Sequence, residues 1–151
     1  QATTLQALFH TSKVITEVST IDLSGITQNA SYLFYESNVH TVEKIIYKAT
    51  SNVYNSAVFS SAYNLKNITF DGEITGFLDI SALSKITPES FKSAILHLKN
   101  YAGTTSEGTK TIKAHATAWS NLEASTTPAE DGIDFDGSWK EYIMSIGWAY
   151  A

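Results

Sequence analysis

The sequence predicts an α/β fold, a short solenoid of about three 25-residue repeats carrying a ladder of strands and closed by a C-terminal helix-strand-helix cap. Three observations point there. Phe9, Phe34 and Phe59 recur at a constant spacing of 25, each directly behind an aliphatic residue, Leu8, Leu33 or Val58. A short polar stretch and then a β-branched run follow every Phe. From Gly76 onward the period gives way to helix signals. A unit of this size cannot bury its own apolar face, so neighbouring units must stack, ring on ring and strand beside strand. The competing reading is a β-sandwich with three evenly spaced Phe residues. The aliphatic neighbours that accompany each Phe favour the solenoid.

The strands follow in order. Ile15 to Ile21, Val39 to Ile45 and Leu65 to Phe70 carry the β-branched residues that suit a half-buried pleated surface. The first two runs hold one more residue between their apolar positions than the third. Phe70-Asp71-Gly72-Glu73-Ile74 has the composition of a tight hairpin. Thr87-Pro88-Glu89 is a helix start, with an N-cap hydroxyl, Pro in the first turn and an acid near the positive end of the helix. Phe91, Ala94, Ile95 and Leu98 continue it at helical spacing, and Gly103 after Tyr101-Ala102 supplies a left-handed stop. Thr104 to Thr109 reads as a polar loop and Thr111 to Ala116 as a strand. A last helix begins near Ser138, capped by Asp136 or Ser138, with Trp139, Tyr142, Ile143 and Ile146 on one face. Gly147 ends it before the apolar tail Trp148 to Ala151.

These elements make one domain, 1–151, with repeats over 5–77 and a capping region over 78–151, because no Pro- or Gly-rich linker divides them. The N-terminal end has no comparable cap, so further repeats or another domain are expected before Gln1. The absence of an initiator Met likewise reads as a mature form, an excised domain or a renumbered fragment.

Composition narrows the function classes. Of the 151 residues, 43% are hydrophobic and 12% aromatic, enough for a sizeable core. Only 17% are charged, against about 25% in average soluble domains, and the net charge is -5. Ten dispersed lysines among fifteen acids make no basic stripe, so nucleic acid is not an expected partner. No apolar run approaches the roughly 20 residues of a membrane helix, so membrane insertion is not expected either. With no cysteine, thiolate chemistry and disulfides are excluded. Ser, Thr, Asn and Tyr take the place of charge, as in β-rich surface proteins.

Catalytic and cofactor signals are weak. His10, His40, His97 and His115 share no metal-ligand spacing, and no nucleophile elbow, phosphate loop or dinucleotide fingerprint occurs. No cofactor is expected. The acidic stretch Glu130 to Gly137 places Asp134, Asp136 and Gly137 as in a calcium loop, but Gly132 and Ile143 stand where that loop needs acids, which leaves a solvated capping loop. Glu17, Glu43 and Asp71 are the carboxylates that stacked strands would gather, the raw material of a glycosidase pair, and nothing singles out two of them. The exposed strand face is the better candidate surface. Thr16, Glu17, Ser19 and Thr20, then His40, Thr41, Glu43 and Lys44, then Lys66, Asn67 and Thr69 should stand in register on it. Glu17, Thr20, Thr41, Glu43, Lys66 and Thr69 are the candidate binding residues. Tyr32, Tyr35, Tyr47, Tyr54 and Tyr63, interleaved with Ser and Asn, have the composition of protein-binding loops.

The third unit, Ala57-Val-Phe-Ser-Ser-Ala-Tyr-Asn-Leu-Lys-Asn-Ile-Thr-Phe70, resembles the BspA-type (treponemal) leucine-rich repeat, in which an Ala-x-Phe or Ala-Phe pair precedes Leu-x-x-Ile-x-aliphatic. Ile86 to Gly103, the strand after it and Gly147-Trp148 also look like the C-terminal part of such proteins from gut bacteria and their phages. The Cys that usually follows the Phe and the Pro that follows the strand are absent here. The resemblance implies a non-catalytic adhesion or host-recognition surface of a bacterial cell-surface, secreted or phage tail protein. It implies an extracellular or virion location and a protein or glycan partner. Docking to preceding repeats or self-association would use the uncapped end. The family has no functional residue to carry over.

Overall fold

The spacing of the Phe residues becomes a stack of rings. Phe34 lies parallel to Phe9 (5.7 Å between centroids, 9° between planes) and to Phe59 on its other face (6.1 Å, 5°). The computed structural model describes residues 6–26, 30–47, 58–104 and 110–151. The backbone beside the rings repeats with them. The Phe9 N–H donates to the Leu33 carbonyl (2.8 Å), Thr11 N–H to Tyr35 (2.8 Å) and Glu36 N–H to Ser61 (3.1 Å). Each 25-residue repeat then turns in the same way, the N–H groups of Ser12, Ser37 and Ala62 closing on the carbonyls of Phe9, Phe34 and Phe59 at 3.1 Å. The third residue of each turn, Thr11, Glu36 or Ser61, has a φ of 52°, 50° or 54°. That left-handed conformation favours glycine, and no coil has glycine there.

Strands β1 (Glu17–Asp22), β2 (Thr41–Ile46) and β3 (Asn67–Asp71) form a parallel sheet in that order. Their apolar residues point inward: Ile21, Val42, Ile45, Ile68 and Phe70 are buried. The extra residue of the first two runs has a structural outcome. Val42 pairs with Ile68 but Ile45 pairs with Phe70, so Glu43 and Lys44 together face Thr69 across a bulge. β1 and β2, equal in length, pair without that slip, Val18 with Val42 and Ile21 with Ile45.

The free side of β3 is occupied by helix α1 (Pro88–Leu96). As the sequence predicts, Thr87 is its N-cap, accepting from the Ser90 N–H, with Pro88 at the start. The Thr87 N–H donates to the Lys66 carbonyl (2.9 Å), where the next strand of the ladder would have begun. Ser90 Oγ then accepts the Ile68 N–H (2.9 Å); Ser93 Oγ accepts the Phe70 N–H (2.8 Å) and donates to the Phe70 carbonyl (3.3 Å). Two serines of a helix thus replace the backbone of a strand at a buried edge.

Three local expectations are corrected here. The helix stops at Leu96, with His97 at its C-cap, and does not run to Gly103. Residues 70–74 form no hairpin. Both follow from one contact: Ile74 makes a parallel bridge to Leu98, its N–H donating to the His97 carbonyl (2.8 Å) and its carbonyl accepting from Lys99 (2.9 Å). These bonds take the chain out of the helix and make Asp71-Gly72 a corner. Gly72 has a φ of +82°, and a Cβ there would sit 3.3 Å from the Tyr47 carbonyl oxygen. The third correction is at Ala114, where the predicted strand stops two residues early.

A second parallel sheet is built from β4 (Leu78–Ile80), β5 (Thr111–Ala114) and β6 (Ala149–Tyr150), in that order. β5 is cut short because His115 caps a helix the sequence reading lacks, α2 (Ala116–Ser125), its Nδ1 accepting from the Thr117 N–H (3.1 Å). Trp119 of α2 packs on Phe91 of α1, centroids 4.6 Å apart. Helix α3 (Trp139–Ser145) begins as predicted, with Ser138 and Glu141 in a reciprocal capping box. Its first N–H groups, on Trp139 and Lys140, also donate to the Glu123 carboxylate of α2 at 3.3 and 3.1 Å. Gly147 ends the helix at a φ of +86°, where a Cβ would come within 2.9 Å of Tyr101 Cβ. The apolar tail becomes β6, anchored by the Trp148 indole N–H on the Lys99 carbonyl (2.8 Å). The fold is thus a mixed α/β arrangement of two small parallel sheets and three helices among the described residues, neither sheet closing on itself.

Candidate recognition face

The outer face of β1, β2 and β3 carries the residues singled out in the sequence. At the start of the strands Glu17, Thr41 and Asn67 lie in one row, with the Asn67 amide donating to Thr41 Oγ1 at 3.4 Å. In the middle Thr20 pairs with Lys44, and Glu43 and Lys44 face Thr69 at the bulge. At the far end stand Asp22, Ile46 and Asp71. Glu17, Ser19, Thr20, Glu43, Lys44, Asn67 and Thr69 are all exposed, and Thr41 is half-buried. The face is therefore polar and rigid, and its backbone is held from beneath by the packed apolar residues.

Its charges are local. Lys44 Nζ reaches Asp71 Oδ2 at 3.4 Å. The Gly72 N–H and then Lys44 hold the Asp71 carboxyl below the usual carboxylate range. Asp22 is lowered too, by the hydroxyl and then the N–H of Ser24. Glu17 and Asp71 are not brought together. Glu17 opens β1 and Asp71 closes β3, which separates their rows by about 16 Å of strand rise. That exceeds the span of a glycosidase carboxylate pair.

Lys66 lies just before β3, at the mouth of the sheet. There the Thr16 carbonyl accepts from the N–H groups of His40 (2.9 Å) and Thr41 (3.3 Å), and the His40 carbonyl accepts from those of Lys66 and Asn67 (3.0 Å each). Thr16, His40 and Lys66 thereby form a column. Beside it Asn38 and Asn64 occupy matching places in successive coils, their amides donating to the carbonyls of Lys13 and Ser37 (3.0 Å each). Lys85, from the segment leading into α1, donates to Asn64 Oδ1 at 3.1 Å. Thr16, Asn38, His40, Asn64, Lys66 and Lys85 line a cleft of about 310 Å³. The sequence reading missed Asn38, Asn64 and Lys85. The recurrence of Asn one step before the second and third strand runs was the available signal for the first two.

The tyrosines divide. Tyr35 stacks on His10 (5.0 Å, 6°) and takes Tyr32 edge-on (5.6 Å), in front of a depression lined also by Gln6 and Ala7. Tyr47 is core, between Phe59 and Phe70. Tyr63 is exposed, its hydroxyl 3.1 Å from Ser61 Oγ. Tyr54 lies outside the described residues. The acidic stretch performs structural work: Glu130 binds the N–H and hydroxyl of Thr127, and Asp131 joins Lys92 of α1 (2.7 Å) and the Thr126 hydroxyl. A second cleft, of about 350 Å³, is lined by Phe59, Ser60, Ser61, Tyr63, Asp79, Ser81 and Ala82. The side chain of Asp79, only 7% exposed, accepts from the N–H and hydroxyl of Ser81 at 2.9 and 2.6 Å. Comparison of the chain with family models, with curated proteins and with solved structures finds no significant match.

Proposed function

We propose that the chain is a non-enzymatic recognition domain, a short leucine-rich-repeat solenoid of the BspA type belonging to a bacterial cell-surface or phage tail protein, with a protein or glycan as ligand. One observation carries the reading. Glu17, Ser19, Thr20, Glu43 and Thr69 are exposed on a sheet fixed by stacked rings, and their side chains make no hydrogen bond or ion pair among the described residues. Polar groups held rigidly and left unspent lose little freedom when a partner binds them. The stacked Phe rings, the repeated turns and the strand ladder support the solenoid description. The test is a binding screen of the domain against arrays of glycans and host-surface proteins. Saturable binding lost in Glu43→Ala and Thr69→Ala proteins that keep their melting temperature supports the reading; binding insensitive to every change on this face refutes it.

A second reading, a structural capping or assembly module, is favoured by the other end of the sheet. Leu8, Val14 and Ile15 are 52%, 90% and 42% exposed beside the outer edge of β1, which pairs with no strand among the described residues. Light scattering run beside the screen separates the two. Self-association abolished by Val14→Asp, without binding to either array, favours the assembly module.

A further inference from the structure

We propose that the cleft at the mouth of the strands, lined by Thr16, Asn38, His40, Asn64, Lys66 and Lys85, binds an acidic sugar, its carboxylate or sulfate seated between the two ammonium groups. The inference rests on the recognition reading and names its ligand class. It begins with an imbalance. The protein carries a net charge of -5, and Lys44, Lys92, Lys99 and Lys113 each pair with a carboxylate. Among the described residues Lys66 and Lys85 do not; they and His40 line a cleft to which no described acidic side chain contributes. Two like charges facing one concavity repel each other, and an anion placed between them gains from both. Lysine, a compact point charge, suits a carboxylate or sulfate without demanding a planar fork.

The rest of the lining decides what carries the anion. The Asn64 amide is spent at both ends, donating to the Ser37 carbonyl and accepting from Lys85, so it fixes the Lys85 ammonium in place. The Asn38 amide donates to the Lys13 carbonyl, which leaves its Oδ1 as an acceptor. Among the described residues the Thr16 hydroxyl has no partner, and His40, whose Nδ1 lies 3.1 Å from Thr41 Oγ1, has none at its other ring nitrogen. Among the described residues no Val, Leu, Ile, Met, Phe, Tyr or Trp side chain lines the cleft. A hydrophobic peptide anchor would find no hydrophobic side chain to pack against, whereas sugar hydroxyls would find an amide oxygen, a hydroxyl and an imidazole beside the charge pair. The cleft, at about 310 Å³, lies at the small end of ligand-sized sites, as a sugar residue requires.

The test uses the whole domain in calorimetric titrations with four probes: an oligogalacturonate, a sulfated heparin tetrasaccharide, neutral cellohexaose and a hexaglutamate peptide. Saturable binding to at least one of the two acidic sugars is expected, with no binding to cellohexaose and weakening as salt rises from 50 to 300 mM. Lys66→Gln and Lys85→Gln should each weaken it about tenfold, and the double variant about a hundredfold. Both positions are exposed, and an unchanged melting temperature separates a lost contact from lost folding. Binding to neither acidic sugar overturns the inference, as does equal binding of hexaglutamate or equal affinity of the double variant. If a glycan or protein from the arrays still binds through Glu43 and Thr69, the recognition reading stands and only this assignment fails.

Discussion

Replacing Phe34 by Ala tests whether the ring stack is the axis of stability. Phe34 is fully buried and covered on both faces, by Phe9 at 5.7 Å and Phe59 at 6.1 Å. Truncation removes its transfer energy and opens a cavity between two rings that the backbone bonds on either side keep from collapsing. Such a change costs about 3–5 kcal/mol. Phe9 is only partly buried and covered by a ring on one face, so Phe9→Ala should cost roughly half as much, ~2 kcal/mol. At about 2–4 °C per kcal/mol for a domain of this size, Phe34→Ala should lower Tm by about 6–20 °C and Phe9→Ala by about 4–8 °C. Differential scanning calorimetry reads the two shifts, and urea unfolding checks that the m-value is retained. Phe34→Leu, which keeps most of the volume, should recover the larger part of the loss. Equal shifts for Phe9→Ala and Phe34→Ala, or a larger one for Phe9, would refute the argument that burial between two partners sets the cost.

Three further outcomes are expected. Ser93→Ala leaves the Phe70 N–H without its acceptor at a buried edge and should destabilise by about 1–3 kcal/mol, with faster amide exchange at Phe70 than at Ile45; unchanged exchange would contradict the edge role of the serine. Glu36→Gly relieves a left-handed residue at the third position of its turn and should stabilise by up to about 1 kcal/mol, read as a raised urea midpoint; a lowered midpoint would show that the Glu side chain matters more than the backbone strain. The Asp131 carboxyl is held below the usual range by its bonds to Lys92 and Thr126, so the unfolded chain binds its proton first as pH falls. The stability this carboxylate contributes is present above pH about 4 and is lost as pH drops through its lowered folded value, so the stability gap between wild type and Asp131→Asn should narrow from about pH 6 to about pH 3. A gap constant across that window would refute the linkage.

What was legible in the sequence was whatever local chemistry decides. The Phe period, the Thr87-Pro88 start and the Ser138 cap each involve a few neighbouring residues, and all three are found where they were expected. The uneven spacing of apolar residues between the second and third strand runs was equally visible, and its outcome is the bulge at Glu43 and Lys44. The losses are non-local. The end of α1 is set by Ile74, which draws Leu98 into a bridge before Gly103 can act as a stop. Helix α2 went unread because its cap is a histidine and its buried residues, Ala118, Trp119 and Leu122, follow directly on a strand pattern. Of the candidate site, the outward strand residues follow from alternation alone. The cleft needed the fold, because its lining residues come from three successive repeats and from the segment before the helix.

The serine-bonded helix on β3 gives the sheet a direction. On that side the N–H groups of Ile68 and Phe70 are already answered by hydroxyls, so no incoming strand can be accepted without dislodging α1. Among the described residues, addition to this sheet is confined to the β1 side. Two copies meeting there by a two-fold axis would have to run their β1 strands antiparallel, and each would still end in its own α1. Within this sheet such a pair has no remaining edge among the described residues. Pairing of this sheet between copies therefore terminates at two and does not propagate into a fibre, a safeguard obtained from two hydroxyl groups and without the charged or proline-bearing edge that exposed sheets commonly use.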